Sequence, residues 1–178
     1  MTKLGYKKYL DCRCATLKIN GMKSIKLDYE VQSCSQFFEM ENRKKEFNVF
    51  IVERYIEEHY WSPPLHISHS AWNEIGYDDY SHDLSFVINE DGQILGGSLA
   101  YRTEEDLEIG WVYAIKDGIG RQIKILKNLL FKQLSTAKSA GIERGFMEID
   151  STHWALSALL DWLPIKDMRI WQRFRLDK

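Results

Sequence analysis

Two glycines, Gly118 and Gly120, stand between an apolar strand-like run and a helix-like run in LEIGWVYAIKDGIGRQIKILKNLLFKQLSTAKSA, residues 107–140. A strand that turns through such a loop into a helix aims several backbone N–H groups at one spot. The helix dipole adds partial positive charge there, so the spot favours phosphate. Neither glycine carries a Cβ, which lets a ligand approach the main chain. The cradle expected from these residues runs through Lys116, Asp117, Gly118, Ile119, Gly120, Arg121 and Gln122, with Lys116 and Arg121 adding charge. This is the chemistry of an enzyme that uses a phosphate-bearing cofactor.

Other groupings carry less. The dinucleotide pattern Gly-x-Gly-x-x-Gly fails at Ile123, and no Gly-Lys-Ser/Thr sequence is present, which excludes a P-loop nucleotide hydrolase. His66 and His69 have the spacing of metal ligands, but no Cys or carboxylate group accompanies them at a recognised distance, so no metal is expected. Cys12 and Cys14 alternate on an apparent strand and read as small apolar residues facing one side. Trp61, Trp72, Tyr77 and Tyr80 fall in an aromatic, proline-containing loop over 60–82, a plausible substrate mouth.

Charge is unevenly spread. Residues 72–108 hold ten acidic side chains and one basic, a balance of −9, whereas 109–178 hold twelve basic and seven acidic, a balance of +5. A negative lobe suits a cationic substrate and a positive one a phosphate-bearing cofactor. No apolar run approaches a membrane span. The N-terminus lacks the apolar core of a signal peptide, and the odd cysteine count (Cys12, Cys14, Cys34) argues against a disulfide framework, so a reducing cytoplasm is expected.

The elements that must position these residues follow from periodicity. Residues 10–31 look extended, with Asn20-Gly21 as a hairpin turn. Ser33 and Gln36 form a capping box for a first helix, and Phe47, Phe50, Ile51, Tyr55 and Ile56 mark a second. Three strands follow, over 84–89, 94–101 and 107–115, joined by Asp91-Gly92 and by a turn at 103–106. A long helix over 119–139 carries Ile123, Leu126, Leu129, Leu130 and Leu134 on its apolar stripe, with Gly141 as its C-cap. A strand at 146–149, a short helix at 154–163 and a last strand at 169–175 complete the chain. The fold class is α/β (α+β): a mixed sheet in which an antiparallel meander feeds a β-α-β unit with parallel neighbours, helices lying on both faces. All 178 residues read as one domain, with 1–23 as an N-terminal extension or hairpin.

This order, with Gly-x-Gly at the exit of the third meander strand, resembles the GNAT superfamily of acyl-CoA-dependent N-acyltransferases. The resemblance covers about residues 24–176 and is best over 84–163. FVINEDGQILGGSLAYR resembles the family's central hairpin, KDGIGRQIKILKNLL its coenzyme A pyrophosphate loop and helix, and FMEIDSTHWALSALLDWL its next strand and short helix. The chain departs from the family at Ile115, where Arg or Gln is usual, and at Leu159, Leu160 and Trp162, where a Tyr that protonates the departing thiolate is expected.

The resemblance implies transfer of an acyl group from acetyl-CoA, or another acyl-CoA, to the primary amine of a cationic small molecule or protein. Such a reaction needs a donor for the developing oxyanion, for which strand N–H groups from Val112 to Ala114 are candidates. It needs a base for the amine, and Glu108 is the first candidate. His153 and Ser151 are candidates for proton transfer on the thiolate side. Two other functions fit the same fold: a Mom-like enzyme that modifies DNA bases, its phosphates met by Arg169, Arg173, Arg175 and Lys178, and a catalytically degenerate domain serving as a binding or inhibitor module. The last strand offers an edge for a homodimer.

Overall fold

The computed structural model describes residues 6–59, 79–103 and 105–176. Seven strands form one sheet: β1 (Tyr6–Lys18), β2 (Gln32–Ser33), β3 (Phe86–Glu90), β4 (Gln93–Arg102), β5 (Asp106–Ala114), β6 (Arg144–Asp150) and β7 (Ile165–Leu176). Their order across the sheet is β2-β3-β4-β5-β6-β1-β7. Among the described residues the helices are α1 (Cys34–Phe37), α2 (Arg43–Glu58), α3 (Ile119–Ser139) and α4 (Trp154–Ser157).

The expected meander, β3 to β5, is antiparallel throughout, and β5 and β6 are the expected parallel neighbours across α3. The expected caps also form: Ser33 and Gln36 close a reciprocal capping box on α1, and Gly141 takes φ +80° just past α3. The hairpin expected at Asn20-Gly21 does not form. Residues Ile19–Gly21 make a single 3-10 turn whose Ile19 is buried, and β1 instead inserts between β6 and β7. Its register runs from Cys12 opposite Asp150 to Lys18 opposite Arg144, and from Tyr6 opposite Leu176 to Leu17 opposite Ile165. The alternation in β1 was satisfied by partners more than a hundred residues away, which local turn chemistry cannot foresee.

The sheet is packed on both faces. On one, Ile125, Leu126, Leu129, Leu130 and Leu134 of α3 cover Leu107, Ile109, Val112 and Met147. On the other, Phe47, Ile51 and Val52 of α2 cover Val87, Leu99 and Tyr113. Consecutive glycines on β4 make this possible. A Cβ on Gly96 would lie 2.5 Å from Ile125, and one on Gly97 would lie 2.5 Å from the Phe47 ring. Each helix therefore seats directly on the strand backbone, from opposite sides. Tyr80, expected at a loop mouth, is buried in the α2 core instead and hydrogen-bonds Asn48. The remaining aromatic loop residues and the His66/His69 pair lie outside the described residues. The outer strand β7 is an edge and leaves Ile170 and Phe174 exposed.

Gly97→Ala should lower unfolding stability by about 1–3 kcal/mol in urea titration, because the Phe47 ring it meets is fully buried and has no room to retreat. Unchanged stability would mean that α2 does not sit this close to β4.

Candidate active site

The site begins with a bulge. Ser98 pairs with Val112 but Ala100 with Ile109, so two steps along β4 oppose three along β5. The extra residue, at Gly110–Trp111, shifts the side-chain alternation of β5 by one. Leu107 and Ile109 face α3, and after the bulge Val112 and Ala114 do so. Trp111, which unbroken alternation would put on the face of Leu107 and Ile109, lies on the α2 face, where it stacks on Tyr55 with ring centroids 4.6 Å apart.

Beyond the bulge, β5 parts from β6. Their parallel register runs only from Asp106 opposite Arg144 to Ile109 opposite Met147, while β5 stays with β4 as far as Ala114. Ile115 donates its N–H to the Leu95 carbonyl on β4 at 2.8 Å. The Val112 carbonyl is met from the other side, by His153. N–H and C=O of one residue point the same way in a strand, and neighbours alternate. Val112 and Ala114 thus present their amides to the gap that β6 has vacated.

A cleft of about 750 Å³ occupies this parting and continues over the β6, β1 and β7 surface. Val112, Tyr113, Thr152 and His153 line one part of it, and Glu108, Glu148, Asp150, Asp167 and Glu58 bring five carboxylates to its walls against Arg169 and Arg173. Tyr55 stacks between Trp111 and His59, the latter at 3.9 Å. His59 donates Nδ1–H to the Tyr55 carbonyl, and its Nε2 lies 3.8 Å from Asp150. Burial holds the Tyr55 phenol above its usual range. Burial, then Tyr55 and nearby carboxylates, holds Tyr113 well above it.

His153 is the N-cap of α4. Its Nδ1 accepts from the Leu156 N–H at 3.3 Å, so Nε2 carries the proton and donates to the Val112 carbonyl at 3.2 Å. Its ring lies parallel to that of Tyr113, centroids 5.9 Å apart. Burial lowers its pKa against the opposing pull of Glu58. His153 therefore bridges the gap as a neutral imidazole.

Of the expected catalytic group, Glu108 and His153 line the cleft and Ser151 does not. The Ser151 hydroxyl accepts from the Asp11 N–H at 3.1 Å and its own N–H donates to the Asp11 carbonyl, so it fastens the exit of β6 to β1. At the loop, Gly118 has φ +76° and caps α3 without any side-chain hydrogen bond. Ideal Cβ atoms on Gly118 and Gly120 meet nothing within 4 Å. The expected free charge of Lys116 and Arg121 is not there: Lys116 pairs with Glu58 at 3.1 Å and Glu57 at 3.6 Å, and Arg121 with Asp117 and Glu90. Tyr55, His59, Trp111, Glu148 and Asp150 are cleft residues that sequence reasoning missed. Alternation along 146–150 was the one available signal, since Phe146, Glu148 and Asp150 share a face. Cys14 lines the cleft rather than an apolar patch, and Cys12 and Cys14 both donate to Glu148. Burial, then Glu148 and Asp150, pushes the Cys12 thiol up. Of the basic residues expected to meet DNA, Arg169 and Arg173 sit inside the acidic cleft, and the Arg175 side chain and Lys178 lie outside the described residues.

The sequence matches no protein-family model and no curated protein. Among solved structures it is similar to a GCN5-related N-acetyltransferase from Sphaerobacter thermophilus (TM-score 0.67, 14% identity, 96% of this chain and 53% of that one). An acetyltransferase of the GNAT family from Colwellia psychrerythraea gives TM-score 0.59 at 14% identity, over 97% of this chain and 57% of that one. A GCN5-related N-acetyltransferase from Kribbella flavida gives 0.52 at 12%, over 96% and 38%. The chain has the GNAT fold, as its element order implied. It spans between 38% and 57% of the length of these three structures.

His153→Asn keeps an N-cap acceptor but removes the titrating ring. A His whose folded pKa is lowered contributes stability that is full above its unfolded pKa, about 6.5, and is lost as pH falls from there through the folded value. The melting temperature of the parent chain should fall more steeply from pH 7.5 to 5 than that of His153→Asn. Parallel pH profiles would contradict the buried neutral imidazole.

Proposed function

We propose that this chain is an N-acyltransferase that moves an acyl group from acetyl-CoA, or a related acyl-CoA, to the primary amine of a cationic acceptor. The observation that carries the reading is the parting of β5 from β6. It leaves the amides of Val112 and Ala114 facing a cleft, and the same strand leads straight into the uncapped N-terminus of α3.

The residues present fit a coenzyme A moiety. The space beyond Gly118 and Gly120 is open, and the first N–H groups of α3 have no side-chain cap, so backbone donors from Gly118 to Arg121 are available to a pyrophosphate, whereas the Gln122 N–H, expected in the same cradle, already donates to the Gly118 carbonyl at 3.1 Å. The main chain carries this task more than the side chains do, because Lys116 and Arg121 are held by carboxylates and Asp117 adds a negative charge beside Arg121. When bound, acetyl-CoA supplies the activated acyl group. The Val112 amide, fixed by the His153 bond to the same residue's carbonyl, donates to the oxygen on which negative charge develops. Glu108, exposed on the cleft wall, takes the proton that the ammonium must lose before it can attack. Tyr55 and Tyr113 are kept as neutral phenols and can each give a proton to a departing thiolate, in place of the phenol missing from the short helix.

The charge of the walls supports a cationic acceptor. Five carboxylates against two guanidinium groups favour a cation. The same balance disfavours a DNA substrate, since Arg169 and Arg173 stand among carboxylates.

Gly120→Asp separates binding from folding. It places a carboxylate in open space at a helix N-terminus, where it should leave stability unchanged or raise it by about 0.3–1 kcal/mol, yet it should abolish the thermal shift given by acetyl-CoA. Glu108→Gln should keep that shift and lose roughly 10²-fold or more in turnover of a diamine acceptor. Absence of any shift in the parent chain at millimolar acetyl-CoA, or full retention of it in Gly120→Asp, would refute the assignment.

A further inference from the structure

Cys12 and Cys14 of β1 point to one face of the sheet, and the register sets Cys12 opposite Asp150 and Cys14 opposite Glu148 of β6. Two thiols and two carboxylates thus form the corners of one small patch, of which Cys14, Glu148 and Asp150 line the cleft while Cys12 is buried. One ligand atom from each of Cys12, Cys14 and Glu148 can be chosen so that all three lie within 4.8 Å of one another. The Cys14 sulfur is 3.5 Å from Glu148 Oε1 and the Cys12 sulfur 3.8 Å from Oε2.

We propose that Cys12, Cys14 and Glu148 bind a thiophilic divalent cation of the zinc class, with its remaining position open to the cleft. The 3.5 Å between the Cys14 sulfur and a Glu148 oxygen is the separation an ion requires, and the full set lies within 4.8 Å. With metal–sulfur bonds near 2.3 Å and metal–oxygen bonds near 2.0 Å, the edges of a tetrahedron come to about 3.5 Å between S and O and about 3.8 Å between two S atoms. The side chains need only small rotations to meet one ion. Two thiolates and a carboxylate are the soft-plus-hard set that selects zinc over magnesium or calcium. Three protein ligands with one vacant position match sites that also take water or a substrate atom.

Binding forms two metal–sulfur bonds and one metal–oxygen bond and releases the two thiol protons to solvent. The resulting centre carries one net negative charge. Arg169 stands cross-strand from Cys14 on β7 and also lines the cleft, so a cation is at hand to balance it. Asp150, cross-strand from Cys12 and beside His59, is placed to accept from a metal-bound water. The third cysteine, Cys34, is buried at the start of α1 in the opposite part of the chain and serves as an internal control.

The test uses the reduced, metal-free full chain and Co2+ as the probe, followed by displacement with Zn2+. One equivalent of Co2+ should give thiolate-to-cobalt charge transfer and the intense visible bands of tetrahedral cobalt, both lost on adding Zn2+. Cys14→Ala, at the less buried of the two thiols, should lose the charge-transfer band, Glu148→Gln should weaken binding, and Cys34→Ser should change nothing. A second readout is independent of the variants' folding: Zn2+ should protect Cys14, the accessible thiol of the pair, from alkylation mapped by mass spectrometry. No thiolate band in the parent chain, or equal alkylation of Cys14 with and without Zn2+, would overturn the proposal. Neither outcome depends on acetyl-CoA binding or turnover.

Discussion

The structure depends on one conflict in backbone pairing. β5 must satisfy β4 along its whole length, yet it can satisfy β6 only as far as Ile109. The bulge at Gly110–Trp111 bends and twists β5 away; α3 returns the chain to the start of β6, opposite Asp106, so the two strands pair first and diverge beyond Ile109 and Met147. Backbone amides left unpaired inside a protein cost about 1–3 kcal/mol each, so such a gap persists only where something fills it. The chain fills part of it with His153, whose Nε2–H takes up the Val112 carbonyl. The rest is a cleft with donors already aimed into it.

The other features of the site are consequences. Because the bulge changes the phase of β5, Trp111 joins Glu108 on the cleft side while Val112 continues the packing against α3. Because β1 rather than a later segment lies beside β6, the cleft floor carries the Cys14 and Thr16 positions of the first strand. Because Lys116 and Arg121 are spent on carboxylates, phosphate affinity at the loop falls to oriented N–H groups and the helix dipole. The acidic residues gathered on the opposite wall then set the sign of the partner.

Much of this architecture was legible in the sequence because it rests on local rules. Asp91-Gly92 could only turn, the α3 stripe could only face a sheet, and Ser33-x-x-Gln36 and Gly141 marked helix ends that the structure keeps. Gly118 and Gly120 marked the loop for the same reason. What was not legible is non-local. Nothing near Tyr6–Lys18 says that its partners are residues 144–150 and 165–176, so a hairpin at Asn20-Gly21 was the natural local reading. A single bulge residue hid the side of Trp111, and ion pairing between α2 and the loop hid the fate of Lys116. Ser151 looked chemical because of its neighbours, but its hydroxyl is used by the β1 backbone.

The central claim is that the parted strands hold an acyl-CoA through main-chain donors. Its most direct test is a backbone amide NMR titration of the 15N-labelled chain with acetyl-CoA. The largest chemical-shift changes should fall on Val112 and Ala114 at one end and on Gly118 to Arg121 at the other, with Tyr113, whose amide bonds to β4, changing less. Saturable changes confined to other residues, or none at all, would contradict the account.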